Sequence, residues 1–162
     1  MSRFIKLNSR GNPLPDSAES WSMVRDDDTW LTWEVKTDNG SIHDKDNKYT
    51  WADAQEFIAA LNDDKFGGFS DWRLPDRKDL QSLADDTASN PAIDIAYFPN
   101  TMPSYYWSST TGAHGTDLAW CIGFHGISRY ARLKNAKQSA APGYDGYKSD
   151  THYVRAVRGG KP

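Results

Sequence analysis

The sequence predicts an α+β domain with an antiparallel sheet, and three observations carry that reading. Two stretches with helical spacing and N-capping signals occupy the middle of the chain. Apolar alternation with a period of two dominates the second half. The resulting order is strand, helix, helix, strands. At 162 residues the chain has the usual size of one domain. Hydrophobic content is only 38%, yet seven Trp, eight Tyr and six Phe put a large apolar area into few positions, so a core is within reach.

Residues 1–25 read as an N-terminal arm ahead of a domain over 26–160. They are polar, with Gly11-Asn12-Pro13 and Pro15 as turn formers and few apolar anchors. From Thr29 to Val35 the run TWLTWEV alternates aromatic and β-branched residues and predicts a first strand, with Asp38-Asn39-Gly40 as the turn after it. Thr50 then precedes WADAQEFIAALN. Its hydroxyl can cap free amides, and Asp53 suits the positive end of a helix. Ala54, Phe57, Ile58 and Leu61 fall at i, i+3, i+4 and i+7, one apolar stripe of a helix expected to end at Gly67-Gly68. Asp76 and Asp79 repeat the capping pattern after Pro75, and Leu80, Leu83 and Ala84 make a short second helix.

The segments YYWSST, DLAWCIGF, ISRYARL and THYVRAVR read as four short strands. Between the third and fourth, KNAKQSAAPGYDGYKSD lacks periodicity and reads as one long loop, of a length that compact domains usually reserve for function or mobility.

The formal charge of −3 comes from 22 acidic and 19 basic side chains spread along the chain, which argues against a nucleic-acid partner. No stretch approaches the roughly 20 apolar residues of a membrane span, so direct insertion is not expected. The start MSRFIKLNSRGNPLP lacks the apolar core of a secretory signal, so an exported form would carry its signal elsewhere. Cys121, in the strand pattern AWCIGF, is the single cysteine. It rules out an internal disulfide or a Cys-based zinc site, and it reads as a small buried hydrophobe.

Four motifs invite chemistry. Asp71-Trp72-Arg73-Leu74-Pro75 pairs a carboxylate with a guanidinium, but an Arg beside an aromatic and a helix start more often anchors a loop through carbonyls and stacking. Tyr106-Trp107-Ser108-Ser109-Thr110 has hydroxyls but no nucleophile elbow, so a strand is expected there. His43-Asp44-Lys45-Asp46-Asn47 is rich in oxygen donors, yet it lacks the later ligands of an EF-hand loop. A solvated turn is favoured over calcium, and no cofactor is expected. His114, His125 and His152 fit no familiar zinc spacing.

The phrase FGGFSDWRLPDRKDL, followed by YYWSST, DLAWCIGF and YVRAVRG and preceded by WEVKTDNGSIHDKDNKYTW, resembles the C-terminal domain of the Legionella collagen-like protein. The motifs cover roughly residues 26 to 160 in the family's order. The resemblance implies a C-type-lectin-like fold: two helices flanking a small twisted antiparallel sheet, termini close together, and a long loop-rich region presenting ligand contacts. WRLPDRKDLQSLA is also similar to a segment of formylglycine-generating enzymes, which share that fold. Many relatives carry a cysteine at the positions of Ile58 and Ala156. Both are absent here, as expected of one lost bridge, and an apolar pair can replace it. Trp30 stands where a small residue, commonly Gly, is usual. It either covers the core edge or offers an exposed aromatic contact.

Imidazole, phenol and guanidinium groups combine flat apolar faces with polar tips, and small neighbours let them adapt. That logic selects Tyr105, His114, Asp117, His125, Arg129, Tyr130, Arg132, Tyr144, Asp145, Tyr147, Asp150 and His152 as a ligand-binding set. The expected function is noncatalytic recognition or adhesion, with a protein or neutral glycan as ligand and the cell surface as the compartment the resemblance suggests. Lectin-like domains of this kind also serve as variable proteins of diversity-generating retroelements. A structural oligomerisation domain, such as a trimer beneath a stalk, is the alternative. A formylglycine-generating activity is disfavoured because Cys121 alone cannot supply a cysteine pair.

Overall fold

Three short segments from the first quarter of the chain assemble with one from its far end. The computed structural model describes residues 2–112, 115–126 and 143–161, with Tyr144 placed by its backbone. Strands β1 (Phe4–Leu7), β2 (Met23–Asp26) and β3 (Leu31–Glu34) are joined by β7 (Val157–Gly159) in an antiparallel sheet of order β1-β2-β3-β7. A second antiparallel sheet has the order β4-β5-β6, from Tyr105–Thr111, Leu118–Gly123 and Gly143–Tyr147. Two α-helices, α1 (Trp51–Asp63) and α2 (Arg77–Gln81), lie between the two groups in sequence. The chain is therefore a mixed α/β domain with two sheets.

The segment read as an arm contributes two strands of the first sheet. Phe4, Leu7, Met23 and Val24 are buried, and they pack into both core clusters. Lys6 masks this in the sequence. It is buried as well, because its ammonium donates to the carbonyls of Asp16 and Ala18 and lies 3.8 Å from the centre of the Trp21 ring. The strand expected over Thr29–Val35 is the third of the sheet, shortened to Leu31–Glu34. The termini enter at opposite edges of this sheet, three strand spacings apart, which is about 14 Å.

Both helices start where the capping residues place them. Thr50 accepts from the Asp53 amide, and Asp76 and Asp79 form a reciprocal capping box. Helix α1 buries the stripe Ala54, Phe57, Ile58 and Leu61. It stops at Asp63, short of the glycines, because Lys65 turns left-handed ahead of the Phe66–Gly68 turn. Gly67 suits its place twice over, since its φ of +67 strains an L side chain and a Cβ there would fall 2.5 Å from the sulfur of buried Met23, which would have to shift. Ile58 and Ala156 share one core cluster.

The motif DWRLP is scaffold. Trp72 and Leu74 are buried, and Asn62 brackets the Trp72 backbone from both sides. Arg73 binds the Gly159 carbonyl and the Asp79 carboxylate, while Asp71 pairs with Arg158, whose guanidinium stacks 3.7 Å from the Phe69 ring centre. The anchoring expected of Arg73 is thus made through carbonyl and carboxylate, and the stacking falls to Arg158.

A buried polar network that the sequence did not disclose ties β3 to the far end of the chain. Glu34, Lys36 and Arg155 are each at most 2% exposed. Glu34 accepts from Lys36, His43 and the Ala156 amide, and Arg155 donates to the Glu34 carbonyl and the Thr101 hydroxyl.

Trp30 has φ +63, in the left-handed region that costs an L-residue roughly 1–2 kcal/mol and costs glycine nothing. This is the physical reason a glycine suits the position. Trp30 is 58% exposed, so it lies on the surface and does not cover the core edge.

Candidate ligand-binding face

Strand β5 pairs its residues with β4 on one side and β6 on the other, and the register divides the second sheet into two faces. Tyr106 opposes Ile122, and Trp120 opposes Asp145. Trp107 opposes Cys121, and Tyr105 opposes Gly123. Tyr106, Ile122 and Phe124 enter one core cluster with Leu80 of α2. Trp107, Ala119 and Cys121 enter the other with the apolar stripe of α1. Alternation thus gives each face a buried patch, while Leu118, Trp120 and Tyr147 on the first face keep some exposure.

At one end of the second face, three rings meet. His125 lies 4.8 Å from Tyr105, centre to centre and edge-on, and His152 lies 6.2 Å from Tyr105 and 4.7 Å from Trp107. Gly123 makes this cluster feasible: a Cβ there would stand 2.5 Å from the His125 ring and 2.8 Å from the Tyr105 ring. His152 is held in place by paired backbone bonds with Tyr49, and its neighbour Tyr153 bonds along β4 to Tyr105 and Trp107. Tyr105, His125 and His152 are all half-buried, with buried Trp107 as the floor. Burial holds the His152 imidazole below its ordinary value, against the pull of Asp150 and with the help of Lys48. At neutral pH it therefore carries one donor and one acceptor.

Residues 22–158 match the model of the Lcl C-terminal domain. The chain belongs to the Lcl C-terminal domain family. No curated protein matches it.

In this Lcl C-terminal domain the predicted binding set does not form one patch. Tyr105, His125 and His152 come together, and position 144 lies on the same side of the sheet by register. Asp145 and Tyr147 belong to the opposite face, with Leu118 and with Trp120, over which Arg77 stacks at 4.6 Å. Tyr147 is 59% exposed. Asp117 and Asp150 occupy turns beside Lys148, whose amide donates to the Asp117 carbonyl. His114, Arg129, Tyr130 and Arg132 lie outside the described residues, as does the strand expected over ISRYARL.

The stretch read as one long loop contains strand β6, GYDGY, fully paired with β5. Its glycines and polar residues hid it, because backbone pairing rather than apolar alternation defines this edge. Gly123 carries a signal in the sequence, since a glycine inside a strand pattern marks close approach.

The other chemical candidates take structural positions. Ser108 is fully buried, and its hydroxyl accepts from the Thr110 amide. Cys121 is fully buried. Asp38, Asp44 and Asp46 bring carboxylate oxygens within 4.8 Å of one another in the turn that the sequence marked as oxygen-rich. There Asp44 already accepts from the amides of Gly40 and Asp46, and the Lys45 ammonium lies 3.2 Å from Asp46 and 3.8 Å from Asp38.

Proposed function

We propose that this chain is a noncatalytic recognition module on a C-type-lectin-like fold, which binds a protein or neutral-glycan ligand through the Tyr105–His125–His152 face. The observation that carries the reading is the ring cluster over Gly123. Three amphipathic rings, half-exposed and packed edge-to-face at the end of the sheet, offer contact area whose ordering cost was met on folding. A noncatalytic role is supported by Ser108 and Cys121, both sealed in the core, and by the lack of a nucleophile elbow around the exposed Ser109. The lectin-like assignment is supported by two α-helices and two antiparallel sheets, with β7 paired to β3 in the sheet that also holds β1. Such a module suits display at a cell surface on a longer chain.

Glycan and protein arrays probed with wild type, Tyr105→Ala and His125→Ala test this. Each truncation is expected to weaken the captured ligand at least about tenfold while the thermal transition persists. Binding that survives in both folded variants would place the ligand elsewhere.

A further inference from the structure

We propose that the turn over Thr37–Ser41 modifies itself, converting the Asn39 carboxamide into a carboxylate through attack by the Gly40 backbone nitrogen. Asn39-Gly40 is the one Asn-Gly step in the chain, and both residues are exposed. Gly40 has φ +75, a conformation that glycine adopts freely. Nothing lies within 4 Å of the place a Cβ would take there, so the attacking nitrogen is uncrowded.

The neighbours supply a base, an oxyanion site and a free leaving group. The Gly40 amide donates to Asp44 Oδ2 at 2.7 Å, within reach of proton transfer. The amides of Asp46 and Gly40 hold that carboxyl below its ordinary range, so at neutral pH it is ionised and can accept. Asn39 Oδ1 accepts from the Thr37 hydroxyl at 2.7 Å and from the Ser41 amide at 3.1 Å, two donors where negative charge gathers in a tetrahedral intermediate. Asn39 Nδ2 has no hydrogen-bond partner among the described residues. The frame is held by Thr37, whose amide donates to the His43 carbonyl at 2.9 Å and whose carbonyl accepts from the Lys45 amide at 2.8 Å, which keeps the reacting groups together.

The Gly40 nitrogen bonds to Asn39 Cγ as its proton passes to Asp44. The Cγ–Nδ2 bond then breaks, the proton moves to Nδ2, and ammonia leaves behind a succinimide ring. Water opens either carbonyl of that ring, giving aspartate or isoaspartate at position 39. Water enters, ammonia leaves, and nothing is oxidised or reduced. The product adds a carboxylate to a turn where Asp38, Asp44 and Asp46 already bring oxygens within 4.8 Å of one another, so like charges accumulate there. The reaction uses no residue of the Tyr105 face, so the two readings stand or fall separately.

The test follows the tryptic peptide Thr37–Lys45 by mass spectrometry as the folded chain, and the same chain in urea, age in neutral buffer. The ratio of folded to unfolded rates of Asn39 conversion is expected to be about ten or more in wild type. Asp44→Asn keeps an acceptor for the Gly40 amide but is no base, and Thr37→Val removes a donor to Asn39. Each should bring the ratio toward one while circular dichroism shows the fold retained. Thr37→Ser keeps the hydroxyl and should age as wild type does. A wild-type ratio at or below one overturns the proposal without recourse to any variant, because the Asp44 bond would then hold the nitrogen back. An unchanged ratio in folded Asp44→Asn or Thr37→Val would overturn it as well.

Discussion

The ammonium of Lys36 lies 3.1 Å from the carboxylate of Glu34, and both side chains are sealed from solvent. Glu34 ends β3 and Lys36 follows two residues later, and they neutralise each other where neither could be tolerated alone. Lys36→Met is therefore expected to cost about 3–5 kcal/mol in urea denaturation, because Glu34 would stay buried without its cation. The double variant Glu34→Gln, Lys36→Met should cost clearly less than the sum of the single changes. Strict additivity would show that the pair is not coupled.

Acid should weaken the fold in two steps. Burial pushes the Asp26 carboxyl up, but Arg3, Thr29 and the Asp28 amide outweigh it and leave the group below its ordinary value. Such a carboxylate stabilises above its unfolded value, about 4, and the gain is lost as pH falls through the folded value. Burial likewise lowers His152, so the folded chain resists its protonation. Its contribution is complete above about pH 6.5 and declines as pH falls through the depressed folded value. Urea midpoints should thus drop first below about pH 6.5 and again below about pH 4. His152→Gln should remove the first step, and Asp26→Asn should shrink the second, which Glu34, Asp44, Asp71 and Asp85 share because their carboxyls are also held below the ordinary value. A wild-type midpoint constant from pH 7 to pH 5 would refute the His152 assignment.

Gly123→Ala probes the ring cluster directly. The added methyl would fall within 3 Å of both the Tyr105 and His125 rings, side-chain ends that can yield, so the chain should still fold at a cost of about 1–3 kcal/mol. The Tyr105 and His125 proton shifts should move, and ligand capture should fall together with them. Unchanged ring shifts would mean that the cluster tolerates the methyl and does not depend on Gly123.

The parts of this architecture that a sequence can announce are the local ones. Thr50 and Asp76 cap helices through side chains three residues from their targets, and the Ala54–Leu61 stripe repeats at helical spacing, so both helices were legible. Cys121 was legible as core because its neighbours alternate. What escaped depends on distant partners. Lys6 looks like a surface residue until the carbonyls of Asp16 and Ala18 receive it, and β6 looks like a loop until β5 supplies its hydrogen bonds. The binding set was chosen by composition, which cannot tell the two faces of a sheet apart. Strand register does, and it separates Tyr147 from Tyr105.

The bond from the Ala156 amide to Glu34 spans 122 residues, and it has a consequence for the order of events during synthesis. A nascent chain that has delivered β1, β2 and β3 holds a carboxylate that still lacks the Ala156 amide, and a β3 edge still open to any other strand. The first sheet cannot close until Val157–Gly159 is free to pair with β3, so its closure should come late in synthesis and then proceed in one step.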